Sequence, residues 1–158
     1  MEYTRPGIAQ TGFLTGHPVK TEEDFKVLQY IYENTVIEYT VAEFDAASKA
    51  LGEDGLHLPI LGVRGKTAFQ SLVEHWCGTE DLVYALADFP EVVEECLSVM
   101  QEKDMETARI LAKSSAEGFI FWEDSSTTNI SPSLFSKYTA PEVEGQKIHF
   151  GEQRQLYA

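Results

Sequence analysis

GFIFWEDSSTTNISP, residues 118–132, is the stretch on which the reading of the fold turns. Phe119, Ile120, Phe121 and Trp122 form an apolar run of strand length after a glycine that can end a preceding helix. Glu123 and Asp124 follow at once, and Ser125, Ser126, Thr127, Thr128 and Asn129 keep the next segment polar. Ser131-Pro132 reads as an N-cap with proline at the first helical position. A buried strand running into an acid-bearing loop is where α/β sheets and barrels place their chemistry. Glu123 and Asp124 are therefore candidate catalytic residues. The competing reading is a solvated loop whose acids sit near a helix start.

Working outward, the chain alternates helical and short apolar patterns. Residues 1–18 are punctuated by Gly and Pro, and the first 20 residues are read as irregular. Thr21 with Asp24 makes a capping-box-like start, and Phe25, Leu28, Ile31 and Tyr32 keep helical spacing to about Asn34. A second helix is expected over Val41–Leu51, stopped by Gly52. Leu56–Leu61 reads as a strand, and helices are predicted over Thr67–Trp76 and Thr79–Ala87. Asp88 is placed as the cap of the longest helix, Pro90–Ala116. Its stripe of Val93, Cys96, Leu97, Met100, Ala108 and Leu111 is core packing. A final strand is expected over Lys147–Phe150. Strand and helix in alternation favour an α/β domain with parallel pairing.

Composition narrows the function classes. The formal charge of −14 argues against a nucleic-acid partner and against an anionic membrane surface. No apolar run approaches the roughly 18 residues needed to span a bilayer. The first 20 residues lack a basic segment followed by an apolar core. These features point to a soluble cytoplasmic protein acting on a small molecule. Cys77 and Cys96 have neither metal-ligand nor disulfide-framework spacing and fall on apolar helix faces.

Several motifs fail on inspection. Gly65-Lys66-Thr67 resembles the end of a phosphate-binding loop, but that motif needs a glycine where Ile60 stands. His17, His57, His75 and His149 show no H-x-x-x-H or C-x-x-C pattern. His75 reads as a packing or surface residue beside Trp76, and His17 as a turn residue. Arg64, just after the Leu56–Leu61 run, is the best cation for holding a substrate carboxylate, with a surface ion pair as its alternative.

The ordered segments carry a resemblance. They are GLHLPILGVRGKTAFQSLVEHWCGTEDLV at 55–83, ALADFPEVVEECL at 85–97, GFIFWEDSSTTNISPSLFSKYTAP at 118–141 and KIHFG at 147–151. In this order they are similar to the uroporphyrinogen decarboxylase superfamily, which also holds cobalamin- and coenzyme M-type methyltransferases. The shared order is a strand, a T-x-x-x-x-x-V-E helix, a D-x-P-E long helix and an acidic strand end with S-P-x-x-F-x-K-Y-x-x-P. It spans about residues 12–151.

The resemblance implies a (β/α)8 barrel, which takes about 250 residues. With 158 residues, the expectation is one partial barrel over 1–158, an internal piece of a longer enzyme. It also implies a lyase or a methyltransferase, with a small-molecule substrate. The decarboxylases use no metal or organic cofactor, and none is expected here. They hold a polycarboxylate tetrapyrrole with amino-terminal arginines, for which only Arg5 is present. Ser71 stands at a tyrosine position of the decarboxylases and Asp124 at a serine position, so the acidic pair is closer to the methyltransferase-like branches.

In the zinc-dependent methyltransferases a histidine precedes a cysteine by two residues at a matching strand end. Here His149 precedes Gly151, and a lone histidine is not a zinc site. The candidate substrate contacts are Arg64, Trp122 and His149, with one of Glu123 and Asp124 facing the ligand. A third possibility is a catalytically inactive partial barrel whose exposed edges drive pairing, as in a homodimer.

Overall fold

The computed structural model describes residues 2–4 and 13–147. Helices begin where the local chemistry directs them to. In α1 (Glu22–Glu33), the Thr21 hydroxyl accepts from the Asp24 amide at 3.3 Å and the Asp24 carboxylate accepts from the Thr21 amide at 2.9 Å. This reciprocal cap contributes about 1 kcal/mol. Helix α2 (Val41–Leu51) ends at Gly52, whose φ of 56° the left-handed region makes easy only for glycine. Helix α3 (Ala68–Ser71) starts at Thr67, whose hydroxyl accepts from the Gln70 amide, and widens into a π turn over Leu72–Trp76.

Helix α4 (Thr79–Asp88) is separated only by Phe89 from α5 (Pro90–Leu111), which opens on proline. Ser131 caps α6 (Pro132–Leu134), which passes through a π turn over Phe135–Thr139 and stays helical over residues 140–147.

Helix α5 is the spine. Its Val93, Cys96, Leu97 and Met100 are buried in one cluster with Phe25 and Leu28 of α1, Phe69 of α3, Leu72 and Leu82. Each such side chain contributes roughly 1.5–3 kcal/mol by leaving water. Tyr32 closes the α1 stripe by an edge contact with Trp76, ring centroids 6.3 Å apart. Ile31, expected on that stripe, is 47% exposed, because the face that meets α5 is the one carrying Phe25, Leu28 and Tyr32. A second cluster joins Phe44 of α2 to Leu61, Ala108, Leu111, Ala112 and Ala116, with Phe119 and Phe121 against it.

The expected partial (β/α)8 barrel is not what the chain forms. The structure is mostly helical, and the strands among the described residues are β1 (Glu2–Thr4) and β2 (Phe13–Gly16), an antiparallel pair. This pair also corrects the reading of the first 20 residues as wholly irregular. The two runs taken as barrel strands, Leu56–Leu61 and Phe119–Trp122, meet at a single parallel bridge, Ile60 to Ile120. It consists of Leu61 N–H donating to Ile120 O and Ile120 N–H donating to Pro59 O, both at 2.9 Å.

The physical reason is coverage. A parallel ladder is stable when both faces are buried and neighbouring strands pair its edges. Here Ile60 and Ile120 are 46% and 38% exposed, and Pro59 has no N–H to give. In place of the predicted strand at 147–150, residue 147 is helical, and residues 148–150 lie outside the described residues. Helix α5 stops at Leu111 rather than Ala116, and α4 runs through Asp88, so that residue is not the α5 cap.

Candidate functional site

The site is organised by the tight turn between the Ile60 bridge and α3. The Gly65 amide donates to Gly62 O at 3.0 Å, and Gly62 adopts φ 87°. The turn is seated on α5: Gly62 N–H donates to Thr107 Oγ1 at 3.1 Å and Val63 N–H to Asp104 Oδ1 at 2.6 Å. Two further carboxylates take the next free amides. Thr67 N–H and its hydroxyl donate to Glu123 at 2.6 and 3.0 Å, and Ala68 N–H donates to Glu142 at 3.1 Å. Acids from α5, from the 118–124 segment and from the last helix thus converge on residues 62–68. These are orphan donors of a turn and of a helix start, which favour negative charge.

Burial sets the protonation of these acids. Asp104 is 2% exposed and Glu142 7%, and the two carboxyl groups hydrogen-bond each other. Burial pushes Asp104 up to about 7 despite the Val63 amide. It pushes Glu142 up to about 9, with the Asp104 charge acting in the same direction. Two buried carboxylates this close cannot both ionise cheaply, so the pair retains a proton. Glu123 is also raised by burial, its hydrogen bonds to Thr67 opposing the shift. Glu123→Ala should therefore cost about 1–3 kcal/mol in a denaturant unfolding experiment, since it orphans the Thr67 amide. Asp124→Ala should cost less, because its partners Ser126 and Asn129 can turn to water.

Beside this cluster opens a cleft of about 610 Å³ lined by His17, Gln70, Glu74, His75, Asp124 and Asn129. A shallower cleft of about 370 Å³, walled by Lys66 and Trp122, shares Glu74 and Asp124 with it. Glu74 and His75 lie on the π turn, where Cys77 N–H donates to Leu72 O at 2.7 Å; such widened turns recur at functional sites. His17 arrives from the amino-terminal segment, docked by Val19 N–H on Trp76 O at 2.9 Å. Its Nε2 lies 3.3 Å from Glu74 O, so that nitrogen carries the proton.

Lys66 Nζ pairs with Glu74 at 2.9 Å and donates to Trp122 O at 2.8 Å, and Gln70 Nε2 donates to the other Glu74 oxygen at 2.6 Å. Desolvation, then the nearby Arg64 charge, holds the His75 pKa below its usual value, leaving a neutral imidazole at pH 7. Arg64 itself is exposed, its guanidinium 4.7 Å above the Trp76 ring.

The predicted site residues separate. Glu123 turns inward onto Thr67, and Asp124 lines the cleft while accepting from the Ser126 amide at 3.0 Å and from the Asn129 amide group. Trp122 is 63% exposed. Arg5, His149 and Gly151 lie outside the described residues. His17, Lys66, Glu74 and His75 were passed over as site residues, and the buried Asp104 and Glu142 were missed outright. A signal for Asp104 was present: it occupies a core position in the α5 stripe, four residues after Met100.

Both cysteines are buried, their thiols pushed up to about 12. Among the described residues no three His, Cys, Asp or Glu side chains are grouped to hold a metal ion. Nor is any helix among them long and apolar enough to cross a membrane. Comparison with family models, with curated proteins and with solved structures finds no match.

Proposed function

We propose that this chain is a uroporphyrinogen decarboxylase-like protein that binds a carboxylate-bearing small molecule in the His17–His75 cleft and exchanges a proton with it. The observation that carries the reading is convergence: segments 55–83 and 118–141, which bear the resemblance, meet at Ile60–Ile120, Lys66–Trp122 and Thr67–Glu123. Arg64, supported by the Trp76 face, supplies a planar donor fork for a carboxylate. Neutral His75 and ionised Asp124 line the cleft as proton acceptors, and Lys66 balances the acid charge through Glu74.

Loss of carbon dioxide from a bound acid leaves an electron pair on carbon that must take up a proton, and transfer of a methyl group to a thiol needs the thiol proton removed. Lys66, in the adjoining cleft, is the proton donor for the first step, and His75 and Asp124 are the acceptors for the second, so the proposal covers both the decarboxylase and the methyltransferase branch.

The test is calorimetric titration of the chain with a polycarboxylate tetrapyrrole and with simple mono- and dicarboxylates. Arg64→Gln should weaken carboxylate binding at least tenfold, the scale of one charge-assisted hydrogen bond. Lys49→Gln, in the last turn of α2, should leave it unchanged. Absence of carboxylate binding, or equal affinity in Arg64→Gln, would sink the reading.

A second reading rests on a different observation. Leu56, Ile60, Ile120 and Trp122 are 64, 46, 38 and 63% exposed around the open parallel bridge. An unpaired edge with apolar flanks favours self-association. Light scattering that gives a monomer mass at every concentration would remove it.

A further inference from the structure

We propose that Asp104 and Glu142 form a proton-locked latch: it holds the 62–68 turn, with Arg64 and Lys66, against α5 and the last helix, and releases it when the shared proton leaves. The geometry supplies both halves of the latch. Asp104 grips one end of the turn through Val63 N–H at 2.6 Å, and Glu142 grips the other through Ala68 N–H at 3.1 Å. The hydrogen bond between the two carboxyl groups ties the grips together.

Among the described residues no ion pair joins a cation to Asp104 or Glu142. Glu123, from the 118–124 segment, and Tyr32, from α1, are the ionisable groups that face it, and both carry negative charge when ionised. Glu142 also receives Gln146 Nε2 at 3.1 Å, a neutral donor. A cleft of about 500 Å³ has Glu142 in its wall, with Glu94, Glu102 and Lys137 around it, and gives the proton a route to solvent. The proposal concerns the turn alone and holds whether or not the neighbouring cleft binds a carboxylate.

The sign follows from burial. A carboxyl group ionises near 4.5 in the unfolded chain, whereas Glu142 retains its proton up to about 9 in the folded one. The stabilisation is therefore complete below the unfolded value and is lost as pH rises through the folded one. Past that point two buried anions face each other, and their repulsion falls on the Val63 and Ala68 amides that they hold.

Both tryptophans of the chain report on the turn. Arg64 lies over Trp76, and Trp122 N–H donates to Gly65 O at 2.9 Å. Tryptophan emission of the full chain should shift as pH is raised from below about 7 to above about 9, with the helical circular dichroism retained. In Glu142→Gln the shift should vanish. The amide reproduces the protonated acid, accepting from Ala68 N–H and donating to Asp104, and has no proton to lose.

Emission that stays flat in the unaltered chain would overturn the latch, as would loss of helix in the same transition or an unchanged shift in Glu142→Gln. Should that variant fail to fold, hydrogen exchange of the Val63 and Ala68 amides in the unaltered chain decides. Protection lost selectively on the alkaline side supports the latch, and protection kept overturns it.

Discussion

Gly62→Ala is expected to destabilise the protein by about 3 kcal/mol or more and to abolish whatever the cleft binds. At φ 87° a β-carbon would stand 2.2 Å from the Lys66 carbonyl oxygen. That neighbour is backbone, so no rotamer change relieves the contact; the turn has to open. Opening it separates Gly62 N–H from Thr107 and Val63 N–H from Asp104, and displaces Arg64 and Lys66 together. Gly52→Ala is the control. Gly52 also has positive φ, at 56°, but a β-carbon there meets nothing within 4 Å, so only the backbone cost of about 1–3 kcal/mol is expected, with no clash added. Urea unfolding of the two variants checks the difference. Equal losses would mean that the close approach at Lys66 contributes nothing.

Phe25→Ala should cost about 3–5 kcal/mol, a large share of the 5–15 kcal/mol that holds an ordinary domain together. Phe25 is fully buried between α1 and α5 and meets Phe89 edge-on at 5.9 Å. Its removal leaves a cavity between α1 and α5, the most extensive helix–helix contact among the described residues. The effect extends to the cleft, because α1 positions Tyr32 against Trp76, the ring on which Arg64 rests. Val27→Ala, on the exposed face of the same helix, should fall within about 0.5 kcal/mol. Thermal and denaturant unfolding of the pair separate the packing contribution from helix propensity.

The candidate site was legible in part. Arg64, Glu123 and Asp124 stand in the neighbourhood of the cleft, because polar residues that follow an apolar run mark where a chain leaves its core. Their detailed contacts were not legible. Asp124 is held by its own loop, through Ser126 and Asn129, and Glu123 by Thr67, 56 residues away in sequence. The helix that starts at Pro132 packs apolar residues on the core only in its first half, at Leu134, Phe135 and Tyr138; beyond them its buried positions are Thr139, Glu142 and Gln146, spaced like a core stripe but polar. A hydrophobic period does not reveal such a stripe, in which Glu142 meets the Ala68 amide and Gln146 donates to Glu142.

What the sequence determined by itself is the set of helices and most of their ends. The Thr21–Asp24 box, Gly52, Thr67, Pro90 and the Ser131-Pro132 start act within four residues of themselves, so a linear reading captures their energetics. The stripe of α5 is equally local in its 3.6-residue period.

The tertiary structure alone decided two things. It limited the Leu56–Leu61 and Phe119–Trp122 runs to one bridge, since a parallel strand has no local hydrogen bonds and exists only as far as partners cover it. It also brought Asp104, Glu123 and Glu142 onto one turn across separations of 41, 56 and 74 residues, where their proton affinities come from mutual proximity and lost water rather than from any neighbour in the chain.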